Sequence, residues 1–338
     1  MITIGSQKIE TNVILAPMSG CTDLSFRLVA REHGAGFCFF EMVDSHSVIY
    51  NRRRTMAMLK TVPEDEPIAL QLLGSDPDIM LRSARELLSQ MSVSFIDINA
   101  ACPAPKVAKK KAGSYLLKDR ENLCSIIKKL AVSLDIPITV KMRLAHETET
   151  VQEVASLAKD CERSGASAIF VHGRTRLQRY AGEVDYGAIR AIKDSVKIPV
   201  IGSGNVLSPE MAKRMFDRTA CDGILAARGA LGNPWIFRAI KDHLDGAPPQ
   251  PEPDPCLKKS VLKRHLSYID RHVDCSHPGK VGIMRKVALW YMKSFPSAKR
   301  IREQVSLVRD YEKMLKLIDS IEYGPSLSLD MAAKESIR

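Results

Sequence analysis

The hydrophobic positions of residues 13–229 fall into eight short apolar runs, most of them followed by an amphipathic stretch. Continuous apolar runs of about four to eight residues are typical of strands buried on both faces of a parallel sheet. Proline begins three of the runs, and a strand tolerates proline at its first position. The runs are VILAPMSG (13–20), GFCFFEMV (36–43), PIALQLLG (67–74), FIDINA (95–100), PITVKMRL (137–144), AIFVHGR (168–174), PVIGSG (199–204) and GILAARG (223–229).

This alternation of apolar runs and amphipathic stretches predicts an α/β fold built from eight βα units. A closed (β/α)8 TIM barrel accommodates eight units, whereas an open doubly wound sheet usually has fewer strands and a glycine-rich first turn. No GxGxxG sequence follows the first run. We therefore expect residues 1–245 to form a TIM-barrel domain.

The pattern changes after the eighth unit. GAPPQPEPDP is too rich in proline for the interior of a helix or a sheet, so we expect a linker over 246–256. Beyond it, apolar residues recur at i, i+3, i+4 and i+7 within 257–273, 280–295 and 299–321, which predicts three amphipathic helices. We expect 257–338 to form a small C-terminal all-helical domain.

Charge indicates the kind of partner. The chain has a formal net charge of +11, and residues 246–338 hold 17 Lys and Arg against 11 Asp and Glu. Such an excess indicates an anionic partner, and nucleic acid more than a membrane surface. No apolar run approaches the roughly 18 residues of a membrane span, and the first residues lack the apolar segment of a signal peptide. We expect a cytoplasmic protein with no membrane partner.

Eight cysteines are scattered along the chain without a CxxC pair. A chain of 338 residues can bury a large core without a disulfide framework, so we interpret the cysteines as reduced thiols. HVDCSH (272–277) contains metal-ligand residue types, but its irregular spacing between two predicted helices is more typical of a loop. The sequence predicts no metal site.

Polar residues mark the ends of the predicted strands, where TIM barrels place their active sites. The last two strands end in GSGN and AARGA, where backbone N–H groups can converge on a phosphate with Arg228 as counter-charge. Lys141 lies inside an apolar strand and needs an anion or an electron-rich cofactor edge. The strand-end residues are Met18, Ser19, Gly20, Glu41, Gln71, Asn99, Cys102, Lys141, Arg143, His172, Arg174, Ser203, Gly204, Asn205 and Arg228.

An ordered set of short sequences along the chain resembles the motifs of one family. LAPMSGCTDLSFR, DINAACPAPKV, AGSYLL, VKMR, HGRT, GSGNV and AARGALGNPWIF are similar to successive motifs of the FMN-dependent tRNA-dihydrouridine synthases, and closest to their B-type bacterial branch. The resemblance implies an FMN-bearing barrel that reduces the C5–C6 double bond of a uridine in tRNA. It further implies NADPH or NADH as the electron donor, and we expect a monomer in solution.

The resemblance also implies which residues bind the cofactor. One segment lies beside the flavin, two residues hydrogen-bond the isoalloxazine ring, a histidine lies near flavin and substrate, and a cradle holds the phosphate. In that order, the matching positions are Pro17, Met18 and Ser19; Gln71 and Lys141; His172; and Ser203, Gly204, Asn205, Ala227 and Arg228.

For the substrate, the resemblance implies that Asn99, Arg143 and Tyr180 bind the uridine. Cys102 matches the general acid that protonates C5 after hydride from flavin N5 reaches C6. A thiol suits this task because it is mostly protonated at neutral pH yet yields its proton readily. Lys106 matches a residue expected to contact RNA.

The loop after Cys102 carries a lysine run, Lys109 to Lys111, in addition to Lys106. We expect these charges to engage phosphates around a uridine taken out of its stack. Two residues depart from the family pattern: Ala101 replaces a usual glycine, and Ala108 replaces a usual asparagine. The second departure affects the choice of RNA target more than the chemistry.

Three alternatives stay open at this point. The same reaction could act on ribosomal RNA, since the motifs do not specify the RNA. An FMN barrel that reduces small-molecule enones would share the phosphate cradle but would not need a basic helical tail. A non-catalytic RNA-binding relative would keep the scaffold, and the departures around Cys102 are compatible with it.

Overall fold

A computed structural model describes residues 1–50, 52–146, 149–294 and 298–321, with the side chains of 52–54, 294 and 298 left out of the description. The chain forms two compact units. The first comprises Met1–Ala230 and Pro234–Gln250, and the second comprises Leu231–Asn233 and the described residues from Pro251 onward. No helix among the described residues has the length and apolar character needed to cross a membrane.

A short antiparallel hairpin begins the first unit. Its strands are β1 (Ile2–Ile4) and β2 (Gln7–Ile9). The side chains of Ile2, Ile4 and Ile9 are buried in the barrel core. A Cβ added at Gly223 would lie 2.5 Å from Ile2 Cδ1, so the hairpin packs against the start of the last barrel strand. The hydrophobic pattern does not predict this hairpin, because a strand of three residues is too short to show a period.

Eight parallel strands follow and close into a barrel, which confirms the predicted (β/α)8 fold. Neighbours in the ring are also neighbours in sequence, and the last strand pairs with the first. The first and second strands meet where Leu15 N donates to Phe37 O at 3.0 Å. The strands are β3 (Val13–Leu15), β4 (Cys38–Asp44), β5 (Ile68–Leu73), β6 (Ile96–Ala100), β7 (Ile138–Arg143), β8 (Ala168–His172), β9 (Val200–Ser203) and β10 (Gly223–Ala226).

Helices connect these strands on the outside of the barrel. Asp, Ser or Thr precedes six of them (α1, α4 and α6–α9 below), and its side chain accepts an N–H group of the first turn. The helices of this unit are α1 (Leu24–Glu32), α2 (Ser45–Tyr50), α3 (Arg52–Met58), α4 (Pro77–Leu88), α5 (Pro105–Ala108), α6 (Arg120–Ser133), α7 (Val151–Arg163), α8 (Tyr186–Ser195), α9 (Pro209–Thr219) and α10 (Ile236–Leu244).

The barrel interior changes character along its axis. Its amino-terminal half is filled by aromatic rings: Phe95 stacks on Phe37 at 5.3 Å, and Phe170 meets Phe39 edge-on at 5.4 Å. The carboxyl-terminal half instead carries polar side chains. This division closes one end of the barrel with apolar packing and leaves the other end for chemistry.

The second unit is helical, as the periodicity predicts, but its boundaries differ. It contains α11 (Pro255–His272), α12 (His277–Tyr291), α13 (Ala298–Leu307) and α14 (Tyr311–Ser320). The first helix begins at Pro255, inside the predicted linker, because proline is favourable in the first helical turn. The single helix predicted over 299–321 is wrong. The Asp310 side chain accepts the Lys313 N–H at 2.8 Å and starts a new helix there.

Candidate active site

The carboxyl ends of four adjacent strands bring together most of the polar residues that the sequence singled out. Strand register places Asn99 beside Lys141 and Arg143 beside His172. Gln71, Asn99, Arg143 and His172 are all buried, between 1% and 8% exposed. Because polar side chains are costly to bury without partners, the hydrogen bonds of each must be accounted for.

Three of these polar side chains form one buried hydrogen-bonded chain. Gln71 Nε2 donates to Asp97 Oδ2 at 2.7 Å, and Asn99 Nδ2 donates to Gln71 Oε1 at 2.7 Å. Asn99 Oδ1 accepts the backbone N–H groups of Ala101 at 3.1 Å and Cys102 at 2.9 Å. The sequence analysis missed Asp97. Its one signal was a carboxylate inside the apolar run FIDINA.

The turn that carries Cys102 is held from both sides. Opposite Asn99, Ser114 N donates to Cys102 O at 3.0 Å. Gly113 has φ +63°, and a Cβ there would lie 2.8 Å from Cys102 O, so the turn requires glycine in AGSYLL. Cys102 itself is half-buried and packs against the cluster of Leu73, Val107 and Ala112.

The lysines after Cys102 have different surroundings. Lys110 Nζ lies 2.5 Å from Asp44 Oδ2 at the end of β4, and Ser75 Oγ donates to Lys110 O at 2.7 Å. Lys106 is exposed on α5, and Lys109 lines a cavity. Lys110 therefore pairs with a carboxylate of the protein while its side chain stays 58% exposed, and the contact of the four lysines with RNA stays a prediction.

Arg143 joins two loops at this end of the barrel. Its Nε donates to Ala101 O at 2.9 Å, and its Nη1 donates to Thr175 O at 2.9 Å and Arg179 O at 2.8 Å. Its guanidinium lies 5.6 Å from the centre of the Tyr180 ring, which is 58% exposed. These backbone partners make Arg143 a structural link between the loops after β6 and β8, and the uridine contact implied by resemblance stays a prediction.

His172 lies within a group of cations. Burial lowers the pKa of His172 far below its usual range, and four neighbouring positive charges lower it further. The imidazole is therefore neutral across the physiological pH range. The four cations are Lys141, Arg143, Arg174 and Arg228.

Lys141 and Asp97 lie on the neighbouring strands β7 and β6, Asp97 fully buried and Lys141 half-buried. Burial lowers the pKa of Lys141 and Arg143 lowers it further, while the Asp97 carboxylate and the Cys102 sulfur raise it. Burial raises the pKa of Asp97, against hydrogen bonds from Gln71 and Thr139. Lys141 therefore lies close enough to the Cys102 thiol to interact with it. An anion bound beside Lys141 would favour the charged form of this lysine.

The backbone after β9 has a local conformation that suits the predicted phosphate cradle. Gly204 and Asn205 both have positive φ, +124° and +52°, so successive backbone N–H groups can converge. A Cβ at Gly204 would lie 2.9 Å from Val184 Cγ2 and 3.3 Å from His172 Cδ2. Arg174 Nη2 donates to Asn205 Oδ1 at 2.9 Å. Ser203 is buried at 7% exposed.

The remaining predicted cofactor residues follow the first and last strands. The backbone N–H of Met18 donates to Thr22 Oγ1 at 3.1 Å, and Gly20 N donates to the carboxylate of Glu41 in the middle of β4. The Arg228 guanidinium lies 5.0 Å from the centre of the Tyr180 ring. The loop residues in this group are Pro17, Met18, Ser19, Ala227 and Arg228.

A cavity of about 810 Å³ opens between the segments that follow β6, β7 and β8. Two aromatic rings, Tyr115 and Tyr180, and three cations, Lys109, Arg176 and Arg179, are among its lining residues. Aromatic rings interleaved with positive charges are typical of surfaces that bind unpaired nucleotides. Among the residues that the structure describes, no cluster of three or more His, Cys, Asp or Glu could hold a metal ion.

Comparison with known proteins identifies similar chains. A family model described as dihydrouridine synthase matches residues 14–323. The chain is 37% identical over 313 residues to the tRNA-dihydrouridine synthase B of Pseudomonas aeruginosa, covering 92% of each chain. It is 36% identical over 314 residues to a probable tRNA-dihydrouridine synthase of Rickettsia prowazekii, covering 92% of this chain and 94% of that one.

Similar folds also occur among solved structures of low sequence identity. The old yellow enzyme of Trypanosoma cruzi superposes with a TM-score of 0.52 at 10% identity, over 76% of this chain and 94% of that one. A 2-naphthoyl-CoA reductase superposes with a TM-score of 0.55 at 13% identity, over 73% of this chain and 52% of that one. At this identity, the likeness supports the barrel fold alone.

Proposed function

Because the chain belongs to the dihydrouridine synthase family, we propose that it reduces a uridine of tRNA to 5,6-dihydrouridine. The observation that carries the proposal is the position of Cys102. Its half-buried thiol stands on a turn fixed at the carboxyl end of the barrel, close enough to Lys141 and Arg143 to interact with both. A proton donor is thereby held at the barrel end where TIM-barrel enzymes do their chemistry.

The residues present fit FMN as the cofactor. Four cations surround a neutral imidazole, and backbone of positive φ at Gly204 and Asn205 forms a cradle beside Arg174 and Arg228. Such a donor set suits a phosphate, and Lys141 suits the electron-rich edge of the ring. When bound there, the flavin supplies the hydride that C6 of the uracil accepts. We propose NADPH, or NADH, as the donor that reduces the enzyme.

Cys102 delivers the proton that C5 of the uracil requires. Addition at C6 leaves negative charge on C5 and the adjacent carbonyl, so an acid must stand on the opposite face of the ring. The hydrogen bonds from Cys102 N to Asn99 and from Ser114 N to Cys102 O fix the backbone that directs this thiol. A fixed donor saves the entropy of orienting the acid in each turnover.

The neutral state of His172 suits a role beside the substrate. An imidazole that stays unprotonated donates one hydrogen bond and adds no charge to a site with four cations nearby. The positive charge of Lys141, Arg143, Arg174 and Arg228 is then left to balance the phosphate and the reduced ring. His172 binds and orients in this scheme, and the proton comes from Cys102.

We propose that the helical residues 257–338 bind the RNA, together with the rim of the barrel at Lys106. On α11, Arg264 and Arg271 lie 5.2 Å and 5.9 Å from the centre of the Tyr268 ring. On α12, Lys286 lies 5.5 Å from the Trp290 ring. Pairs of cations and aromatic rings can contact phosphates and stack on bases. The same proposal includes a monomer in the cytoplasm.

The test combines the purified protein, NADPH and a tRNA transcript that carries no modification. We expect flavin absorbance in the protein and dihydrouridine in the product RNA, mapped by mass spectrometry of nuclease fragments. A ribosomal RNA fragment and a small cyclic enone serve as parallel substrates. Turnover of either one without turnover of tRNA would overturn the proposed substrate. A protein that neither contains nor accepts FMN would contradict the proposed chemistry.

A further inference from the structure

Starting from the proposed function, we infer that Asp97 is a positioning residue. Through Gln71 and Asn99, its carboxylate fixes the turn that carries the Cys102 thiol relative to the residue expected to contact the flavin. Asp97 lies on β6 at 0% exposure, below Asn99 on the same strand. No role was assigned to it from the sequence. The hydrogen-bonded chain described above gives it one.

The direction of every hydrogen bond in this series of side chains follows from the end at the Cys102 turn, which we call its outer end. The Ala101 and Cys102 backbone N–H groups can only donate, so the atom of Asn99 that faces them must be its oxygen. The Asn99 amide nitrogen then faces Gln71, which must present its own oxygen. The Gln71 nitrogen therefore needs an acceptor, and the Asp97 carboxylate provides it at 2.7 Å.

Asp97 therefore reinforces, from the inner end, the orientation that the Ala101 and Cys102 N–H groups give to the two side-chain amides. If Gln71 rotated, its nitrogen would face the Asn99 nitrogen and its oxygen would face the Asp97 carboxylate. Donor would then face donor at Asn99, and acceptor would face acceptor at Asp97. Each unsatisfied polar group in such a buried site costs about 1–3 kcal/mol. The carboxylate leaves one orientation favourable along the whole chain.

The inner end of the chain is anchored as well. Thr139 Oγ1 on β7 lies 2.8 Å from Asp97 Oδ1, so the carboxylate is held between two neighbouring strands. Burial raises the pKa of Asp97, while the hydrogen bonds from Gln71 and Thr139 and the charge of Lys141 act in the opposite direction and favour the ionised carboxylate. The chain thus joins β5, β6 and β7 below the site, and rigid strands transmit its geometry.

Gln71 is the branch point between cofactor and acid. A side-chain amide has two N–H groups and two lone pairs, and the chain uses one of each. One N–H and one lone pair are left for the cofactor edge that Gln71 is expected to contact. The buried Asp97 carboxylate therefore helps to fix the position of the Cys102 turn relative to the Gln71 group that is expected to contact the flavin.

The experiment compares two substitutions of Asp97 in the full-length holoenzyme. Asp97→Ala removes the acceptor, whereas Asp97→Asn keeps an oxygen for Gln71 and an N–H₂ for the Thr139 hydroxyl. Thr219→Val is the matched control, because Thr219 is also fully buried and its hydroxyl donates to Met215 O at 2.7 Å, away from the chain. Thermal unfolding of all variants separates a loss of stability from a loss of positioning.

Stopped-flow absorbance follows the two half-reactions separately. We expect Asp97→Ala to slow flavin reoxidation by tRNA by about 10- to 100-fold, since a misplacement of about 1 Å has effects of this size. Reduction by NADPH should change by less than about threefold, because the thiol takes no part in it. Asp97→Asn should restore most of the reoxidation rate. Thr219→Val should keep both rates.

A second measurement does not depend on RNA turnover. Mass spectrometry follows alkylation of Cys102 by iodoacetamide, with the exposed Cys256 and Cys275 as internal references. We expect Asp97→Ala to increase the alkylation rate of Cys102 several-fold, because its half-buried turn loosens, while the references stay unchanged. Asp97→Asn should keep the wild-type rate.

The outcomes separate this inference from the proposed function. Failure of the wild-type enzyme to reduce tRNA would overturn the proposed function, while the alkylation measurement would still test Asp97. Wild-type reoxidation and wild-type alkylation in Asp97→Ala would overturn the positioning role. Equal loss in Asp97→Asn and Asp97→Ala would also overturn it, since charge rather than the directed hydrogen bond would then be responsible.

Discussion

Cys102 illustrates how much of this site depends on backbone rather than on side chains. Its own side chain packs against a small apolar cluster, while its N–H and C=O are both held by hydrogen bonds to other residues. Asn99 holds the amide and Ser114 holds the carbonyl. The turn therefore determines the position of the thiol. Gly113 packs so closely against the Cys102 carbonyl that a side chain would not fit at this position.

At this scale, the general-acid role predicts the behaviour of Cys102→Ala. The variant should keep its flavin and its affinity for RNA, since neither depends on the sulfur. Product formation should fall by about 10²- to 10⁴-fold, the range typical of a lost general acid. Single-turnover analysis of dihydrouridine measures the effect. Undiminished turnover would remove the assignment of Cys102 as the acid.

The cradle at the end of β10 predicts the effect of Arg228→Ala. Loss of a charge-assisted contact to phosphate is expected to raise the dissociation constant of FMN by about 10- to 100-fold. Fluorescence titration of the flavin-free protein with FMN measures this constant. Arg190→Ala is the control, because Arg190 pairs with Asp194 on the exposed side of α8. An unchanged dissociation constant in Arg228→Ala would contradict the proposed phosphate contact.

Buried histidines predict a pH dependence of stability. Burial lowers the pKa of His265 to about 3, and it lowers that of His172 as well. Below pH 6.5 the unfolded chain binds protons at these positions and the folded chain does not, so the free energy of unfolding falls as the pH falls. Between pH 7 and pH 5, each histidine should account for a loss of about 2 kcal/mol.

Urea unfolding of His265→Gln at the two pH values measures the contribution of this residue. The variant should lose less stability than the wild type between pH 7 and pH 5, by about 2 kcal/mol. An equal loss in both proteins would show that His265 is protonated in the folded state at pH 5. Its ring contacts Tyr291 across the second unit, so the measurement also reports on packing there.

At the scale of elements, the hairpin β1–β2 and the divided last helix show where patterns fail. Each hairpin strand has three residues, and only Ile2, Ile4 and Ile9 of these six residues are buried. In the C-terminal unit, apolar spacing continues through 299–321, but Asp310 captures the next N–H groups and begins a new helix. Local hydrogen bonding from one short side chain overrides a continuous hydrophobic period.

The hairpin leads to a prediction about barrel stability. Ile4 is fully buried in the core cluster, whereas Thr3 between the buried isoleucines is exposed. Ile4→Ala should lower the free energy of unfolding by about 2–5 kcal/mol, because it leaves a cavity. Thr3→Ala is the matched control and should change it by less than about 0.5 kcal/mol. Equal stability of the two variants in urea unfolding would mean that the hairpin does not complete the core.

At the scale of the whole molecule, charge is distributed unevenly. The net charge is +11, and more than half of it belongs to residues 246–338. On the described part of this region, cations lie over the aromatic rings of Tyr268 and Trp290. Positive charge of this kind contributes to RNA affinity through release of counterions, so its effect must depend on salt.

The corresponding prediction concerns charge reversal in the helical unit. Lys286→Glu combined with Arg300→Glu should weaken tRNA binding and reduce the slope of log affinity against log salt by about 1–2. Filter binding at several salt concentrations measures both quantities. Lys8→Glu, on the exposed face of the hairpin, is the control for a change of charge alone. An unaltered slope in the double variant would mean that this surface of the helical unit does not contact the phosphates of the RNA.

The sequence by itself determined the architecture of the barrel. All eight apolar runs form strands, because a fully buried parallel strand is apolar along its length and the signal is local. The observed strands are shorter than the runs, and six of the runs continue past the carboxyl end of their strand into the segments that carry site residues. The order of strand-end residues from Met18 to Arg228 was also readable, because parallel strands end at one edge.

Only the tertiary structure decided which polar groups are partners. Gln71 and Asp97 are 26 residues apart, and Lys110 and Asp44 are 66 apart, yet each pair is in direct contact. The hydrophobic periodicity of a segment does not predict such pairs. They depend on which strands become neighbours and on the path that each loop takes across the end of the barrel. The sequence therefore singled out polar residues at the strand ends, and three-dimensional packing determined which polar groups, Asp97 among them, are partners.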